Sequence, residues 1–291
     1  MRDDVATWLY VPADRLPELL TKAARSADGI VVDLEDAVHP SSRPRARAAL
    51  GPTFGADSGF PAGLLKTLPI VVRVNRVDSP DFAADLAAVG PLLRAGTVHG
   101  IRLPKVESAA EVDAAFAQTR RFRDAPHLVP LIESARGLSK AQEIADAFGV
   151  HSITLGESDL RADLSLPRGA SDTGLLLSRL TIVQAARAAG LPSPVGSVHP
   201  SVTDLDGLRR SCDVLRELGF YGRSVIHPRQ VPVVREAFAP STDEVTWATD
   251  VLDKAAAMDA AGSAAATLAD GSFVDPAILR LAEHIRKRAH A

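Results

Sequence analysis

The chain has 291 residues, 46% of them hydrophobic, a formal net charge of −3 and one cysteine. That length suits one large domain such as an α/β barrel, or two small ones, and the apolar fraction excludes a disordered chain. Near-balanced charge without a basic stripe excludes a dedicated nucleic-acid binder, and a lone Cys212 excludes an internal disulfide and a cysteine metal cluster.

The opening "MRDDVATWLYV" is acidic and its apolar run is short, so it does not read as a signal peptide. No run is long enough to span a bilayer, and the expectation is a soluble protein of the cytoplasm. Short β-branched runs then alternate with helical patterns. The strands expected are "TWLYV" (7–11), "GIVVDL" (29–34), "PIVVRVN" (69–75), "HGIRLP" (99–104), "LVPLIES" (128–134), "SITLG" (152–156), "PVGSVH" (194–199) and "RSVIH" (223–227). Strands alternating with helices predict a parallel sheet, and this many predict a TIM (β/α)8 barrel.

Between strands, "GPTFGADSGFPAGLLKTLP" (51–69) is rich in Gly and Pro and reads as an extended loop. "SKAQEIADAFG" (139–149) reads as a helix with Ser139 as N-cap and Ala141, Ile144, Ala145 and Phe148 on its buried face. Two later helices end on Gly190 and Gly219, which suit the left-handed position past a helix end. Cys212 sits in a helical pattern as a small packing residue. After the eighth strand come two more helices, separated by "DGSFVDP". The expected division is a barrel over 1–240 and a C-terminal helical extension over 241–291.

Chemistry in such a barrel sits at the C-terminal strand ends. Those ends carry Asp33, Glu35 and Asp36 after the second strand, Arg73 and Asn75 on the third and Lys105 after the fourth. Glu133 follows the fifth, Glu157 and Asp159 the sixth, and His199 and His227 the last two. The opposite ends read as free of such a concentration. Three carboxylates crowded at 33–36 repel one another and need neutralising, so they are expected to share a pocket with Arg73, Lys105 and a divalent cation. An all-oxygen donor set suits Mg²⁺ or Mn²⁺, and Glu133 with Asp159 would leave positions free for a chelating substrate. Either residue alone could equally be a helix cap; the metal reading rests on the convergence. His199 and His227 read as packed or hydrogen-bonded loop residues rather than ligands.

The segments "LYVPADR", "VVDLEDAV", "VRVN", "LPKVES", "PLIES", "LGESDL", "SVIHPRQ" and "GSFVDP", in order from residue 8 to about 285, together resemble the HpcH/HpaI aldolase and citrate lyase β-subunit family. The resemblance implies a TIM barrel with C-terminal helices, assembled as a trimer or hexamer, the extension packing on a neighbouring subunit. It implies Mg²⁺-dependent making or breaking of carbon–carbon bonds through an enolate. Glu133 and Asp159 match the metal ligands, and Arg73 matches the residue that grips the substrate carboxylate and enolate oxygen. Asp33, Glu35 and Asp36 resemble the group that orients Arg73 and metal waters, with Lys105 in the same network. Arg15 matches a contact to coenzyme A phosphates, with Lys22 a second candidate. Asp275 matches an aspartate that reaches a neighbouring subunit's site and exchanges a proton with the acyl-CoA carbon; before Pro276 it is also an ordinary helix start.

The implied activity is cleavage or formation of a 3-hydroxyacyl-CoA such as malyl-, citramalyl- or citryl-CoA. Two alternatives stay open: a CoA-independent 2-oxo acid aldolase, and a citrate lyase β subunit acting on an acyl-carrier protein. In two places the sequence departs from the family pattern: a longer 51–69 loop, and Ser158 where many relatives place an acid.

Overall fold

The computed structural model describes residues 5–55, 68–169, 171–261, 267 and 273–289. Its strands are β1 Thr7–Pro12, β2 Gly29–Asp33, β3 Ile70–Arg73, β4 Gly100–Leu103, β5 His127–Ile132, β6 Thr154–Leu155, β7 Val195–Gly196 and β8 Gly222–Val225. All neighbours pair in parallel, in the order β6-β5-β4-β3-β2-β1-β8-β7. Because β1 pairs with both β2 and β8, the sheet wraps on itself, and the seam falls between β6 and β7. This is the expected TIM barrel. Strands β2 and β3 are buried at every position, as parallel strands covered on both faces must be, which explains their unbroken Ile/Val runs.

Every expected strand is present, but β6 and β7 are two residues each. The chain leaves β6 through Gly156 straight into a helix at Glu157, so "SITLG" has little room to pair. Register places Asp33 beside Arg73, and Arg73 beside Arg102, at the C-terminal ends of adjacent strands.

The helices that position the site are α1 Leu16–Ser26, α2 Arg43–Phe54, α3 Pro80–Ala95, α4 Ala109–Thr119, α5 Ala135–Ser139, α6 Ala141–Ala145, α7 Glu157–Asp163, α8 Leu176–Ala188, α9 Leu205–Glu217 and α10 Gln230–Phe238. The helix expected over 139–149 is instead the pair α5 and α6. The N-cap is Ser134, whose Oγ accepts from Gly137 N–H; Ser139 closes α5 and donates to the Arg136 carbonyl. Ala141, Ile144 and Ala145 are buried as expected, but Phe148 lies beyond α6, 73% exposed, edge-on against Phe116. Gly190 (φ 72°) and Gly219 (φ 93°) take the left-handed conformation after α8 and α9. The loop expected over 51–69 begins later, because α2 runs to Phe54 with Pro52 inside it; 56–67 lie outside the described residues.

The chain divides into two compact units, residues 1–237 and 238–291. In the second, α11 Thr242–Ala261 and α12 Pro276–Ala289 share a small core of Ala248, Val251, Val274, Ala282 and Ile285. Thr267 and Phe273 form an isolated antiparallel bridge there.

Candidate active site

The C-terminal rim of the barrel gathers the charged residues into one network. Arg73, the last residue of β3, grips Asp33, the last of β2, with Nε to Oδ1 at 2.8 Å and Nη2 to Oδ2 at 2.5 Å. Asp33 also accepts the N–H groups of Glu35 and Ala37, which turns the chain sharply after β2. Arg73 Nη1 lies 2.8 Å from Glu35 and 3.7 Å from Asp36. From β4, the Lys105 ammonium contacts Glu35, Asp36 (3.1 Å) and Asp159 (3.7 Å). The crowded carboxylates of "DLEDAV" are therefore neutralised from the two following strands.

Lys105 works through its backbone too. Its φ is 54°, a left-handed value that a non-glycine residue holds only under constraint, and its N–H donates to Glu133 Oε1 at 2.8 Å. Glu133 is almost fully buried. Its other oxygen lies against Gly156, where an added Cβ would sit 2.4 Å from Oε2. Gly156 is thus the gap that admits this carboxylate. Burial, and then the adjoining Asp159 carboxyl, push Glu133 up to about 8. At Lys105 the contacts with Glu35 and Asp36 outweigh the opposing effect of burial, and the ammonium is held more tightly protonated than usual. At Asp36, Lys105 and Arg73 outweigh burial and pull the carboxyl below its ordinary range.

Arg73 has support on a third side. Its guanidinium lies 5.1 Å from the Tyr10 ring centroid on β1, and the Tyr10 hydroxyl accepts from Arg102 Nη1 at 2.7 Å. Asn75, just past β3, donates its side-chain amide to the Leu34 carbonyl and to Asp85 on α3, and Asp85 in turn binds Arg47 of α2. That chain of bonds pins the ends of β2 and β3 to the outer helices.

A second buried network stands behind Asp159. Arg179 of α8, wholly buried, holds Glu157 through Nε and Nη2, both at 2.8 Å, and Asp172 through Nη1 at 3.0 Å. Glu157 opens α7, so this pair fixes the turn that carries Asp159. The roles of Arg179, Gly156, Tyr10 and Arg102 are not evident in the sequence reading. The one signal was polar residues inside apolar patterns, such as the arginine of "LLSRL".

The remaining expected residues fall elsewhere. Arg15 sits on a short turn between β1 and α1, exposed and paired with Glu18 at 2.8 Å, and Lys22 is exposed on α1. His227 Nδ1 accepts Arg229 N–H and the His199 carbonyl accepts from Gln230, consistent with loop-packing roles. Cys212 is a buried free thiol, as expected of a packing residue. In the second unit, Asp275 is exposed and caps α12: its Oδ1 accepts the N–H groups of Ala277 and Ile278, both at 2.8 Å. Residues 270–272 of "DGSFVDP" lie outside the described residues.

Among the described residues no group of three or more His, Cys, Asp or Glu is arranged to hold a metal ion. The rim nonetheless fits a divalent cation. Four carboxylates, Asp33, Glu35, Asp36 and Asp159, face two cationic side chains there, so negative charge is left over even before Glu133 ionises. Glu133 is buried with an affinity for protons far above a normal carboxyl, the condition in which a cation can replace the proton. Two carboxylate ligands plus water or substrate oxygens is a coordination Mg²⁺ accepts.

An α/β barrel with an acidic, cation-fitting centre at its C-terminal rim, flanked by a fixed arginine and lysine, defines a TIM-barrel enzyme. The model of the HpcH/HpaI aldolase/citrate lyase family matches residues 6–228. The chain belongs to that family. It is 36% identical over 289 residues to a citrate lyase subunit beta-like protein of Mycobacterium tuberculosis, covering 97% of this chain and 94% of that one. It is 28% identical to the mitochondrial citramalyl-CoA lyase of Rattus norvegicus, covering 95% and 83%. The crystal structure of the M. tuberculosis protein CitE in complex with magnesium, acetoacetate and coenzyme A superposes with a TM-score of 0.79 at 34% identity, covering both chains fully. No described helix is long and apolar enough to cross a membrane.

Proposed function

We propose that this chain is a Mg²⁺-dependent carbon–carbon lyase that cleaves, or in reverse forms, a carboxylate-bearing 3-hydroxyacyl-CoA such as malyl-, citramalyl- or citryl-CoA. The observation that carries the reading is the buried Glu133, set against Gly156 and Asp159 and bonded by Lys105 N–H, beside the clamped Arg73. Glu133 and Asp159 are the metal ligands, and Mn²⁺ suits the same oxygen set. When bound, the cation polarises the substrate oxygens and offsets negative charge as the bond breaks. Arg73, fixed by Asp33 and Tyr10, presents a preorganised positive charge to the substrate carboxylate and the oxygen that gains charge. Asp33, Glu35, Asp36 and Lys105 hold that arginine and the rim in register.

Arg15 and Lys22, exposed beside β1, are the coenzyme A phosphate contacts in this reading. Asp275 of a neighbouring copy exchanges the proton with the acyl-CoA carbon. Its cap uses Oδ1 alone, and among the described residues Oδ2 has no partner. The assembly is a homotrimer or hexamer, the C-terminal helices packing on a neighbour, and the setting is the cytoplasm.

The test is EDTA-sensitive release of 2-oxo acid from a panel of malyl-, citramalyl-, methylmalyl- and citryl-CoA. Asp275→Asn keeps a good helix cap, so it should keep Mg²⁺ binding while losing cleavage. Loss of metal binding in that variant contradicts the role given to Asp275. A second reading is favoured by the names of several relatives: a citrate lyase β subunit that acts on a carrier-bound substrate. Silence on every free CoA ester, with turnover of carrier-bound citrate, selects it. Activity on free hydroxy-oxo acids alone, undisturbed by Arg15→Ala or Asp275→Asn, selects a CoA-independent aldolase.

A further inference from the structure

A cleft of about 580 Å³ opens beside the acidic centre, between the chain leaving β6, the turn after β7 and helix α9. Glu157 and Ser158 form its near wall. Four arginines line it: Arg161, Arg168, Arg210 and Arg223. Its two carboxylates, Glu157 and Asp172, are already taken. Glu157 is held in both oxygens by Arg179, and Asp172 by Arg179 and Arg161, the latter at 2.7 Å.

The other three arginines have no carboxylate bonded to them directly among the described residues. Among the described residues Arg168 and Arg210 make no ion pair, and both are exposed on the cleft wall. Arg223 is the more telling: it is 2% exposed, its firm hydrogen bond goes to a neutral group, Ser211 Oγ at 2.7 Å, and its Nε has no partner. Its nearest carboxylate, Asp172, is reached only through the Ser211 hydroxyl, 3.5 Å from Asp172 Oδ2, so a bound anion would give this buried guanidinium a direct partner. His199, also on the wall, has no hydrogen bond at Nε2, which lies 3.9 Å from Asp204, and burial and then Arg223 hold it below the usual imidazole range.

We propose that this cleft is an anion-binding subsite, separate from the Glu133–Asp159 centre, taking a small organic anion whose carboxylate or phosphate group is held by Arg210, Arg168 and Arg223. Its volume falls in the range of small-ligand sites and exceeds what a bare oxyanion fills. Leu166, Val198 and Val214 on the same wall supply apolar surface for the rest of the molecule. The inference does not depend on the lyase reading, since it uses neither metal ligand nor Arg73.

The experiment is calorimetric titration of the full chain with inorganic phosphate and, separately, succinate, in EDTA at constant ionic strength. Saturable binding of at least one is expected in the wild type and in Glu133→Gln. It should weaken at least about tenfold in the double variant Arg168→Gln/Arg210→Gln, whose changes fall on exposed side chains. Phosphate binding without succinate identifies a phosphate ester as the ligand class, and the reverse a carboxylic acid. Absence of saturable binding by either anion overturns the proposal. So does binding that the double variant leaves intact, or that Glu133→Gln abolishes.

Discussion

The two ends of the barrel hold different ionisable groups in different ways. At the C-terminal rim opposite charges meet: Arg73 and Lys105 pair with Asp33, Glu35, Asp36 and Asp159, beside Glu133, whose carboxyl burial pushes up to about 8. At the N-terminal end, where the sequence promised no concentration of polar residues, lie three histidines: His99 before β4, His127 opening β5 and His151 before β6. Two of them, His99 and His127, are held below the usual imidazole range. His127 stacks on His151 at 4.4 Å, and burial, followed by the charge a protonated His151 would carry, brings it down to about 4. His99 is lowered by burial as well, its Nδ1 accepting the Ile70 N–H. The base can therefore be solved by packing around Val5, Trp8, Val31 and Val71. The rim cannot, because its charge does not close without a ligand. An excess of carboxylates at one end of a barrel marks the working end; half-buried histidines stacked at the other mark structure.

The sharpest way to break this contrast is at Asp33. Asp33→Ala leaves Arg73 buried without its bidentate partner, and should cost about 3–5 kcal/mol in denaturant unfolding. A loss below about 1 kcal/mol would mean that Glu35 and Asp36 alone can hold the arginine. Gly156→Ala acts more locally. Its Cβ displaces Glu133 Oε2, so Mg²⁺ affinity should fall about 10–100-fold with the fold intact. Unchanged affinity would remove Glu133 from the metal. The smallest effect belongs to the base. His127 binds its proton near 4 when folded and near the ordinary 6.5 when unfolded, so the unfolded chain takes up the proton first. Stability is full above about pH 6.5 and falls as pH drops toward 4. His127→Gln should flatten that part of the stability profile, and an unchanged slope would place the titration elsewhere.

The barrel was legible because each strand is a β-branched run bounded by turn residues, and parallel burial makes such runs apolar throughout. The rim residues were legible for a related reason. A charged residue such as Arg73 inside "VVRVN" has no bland place in a buried strand, and it does pair with Asp33 as that argument required. What escaped depended on distance in space rather than in sequence. Nothing at Gly156 announces that Glu133, 23 positions earlier, needs its missing side chain. Nothing in "LLSRL" tells that Arg179 goes to Glu157 and Asp172. The extended reading of 139–149 failed because its helical spacing continued past Ala145, where the chain turns away and leaves Phe148 outside.

The most direct test of the central claim is calorimetric Mg²⁺ binding to the wild type, Glu133→Gln, Asp159→Asn and Asp275→Asn. The account predicts saturable binding by the wild type and Asp275→Asn, and none by the two rim variants. Retention of Mg²⁺ by Glu133→Gln and Asp159→Asn together would contradict it.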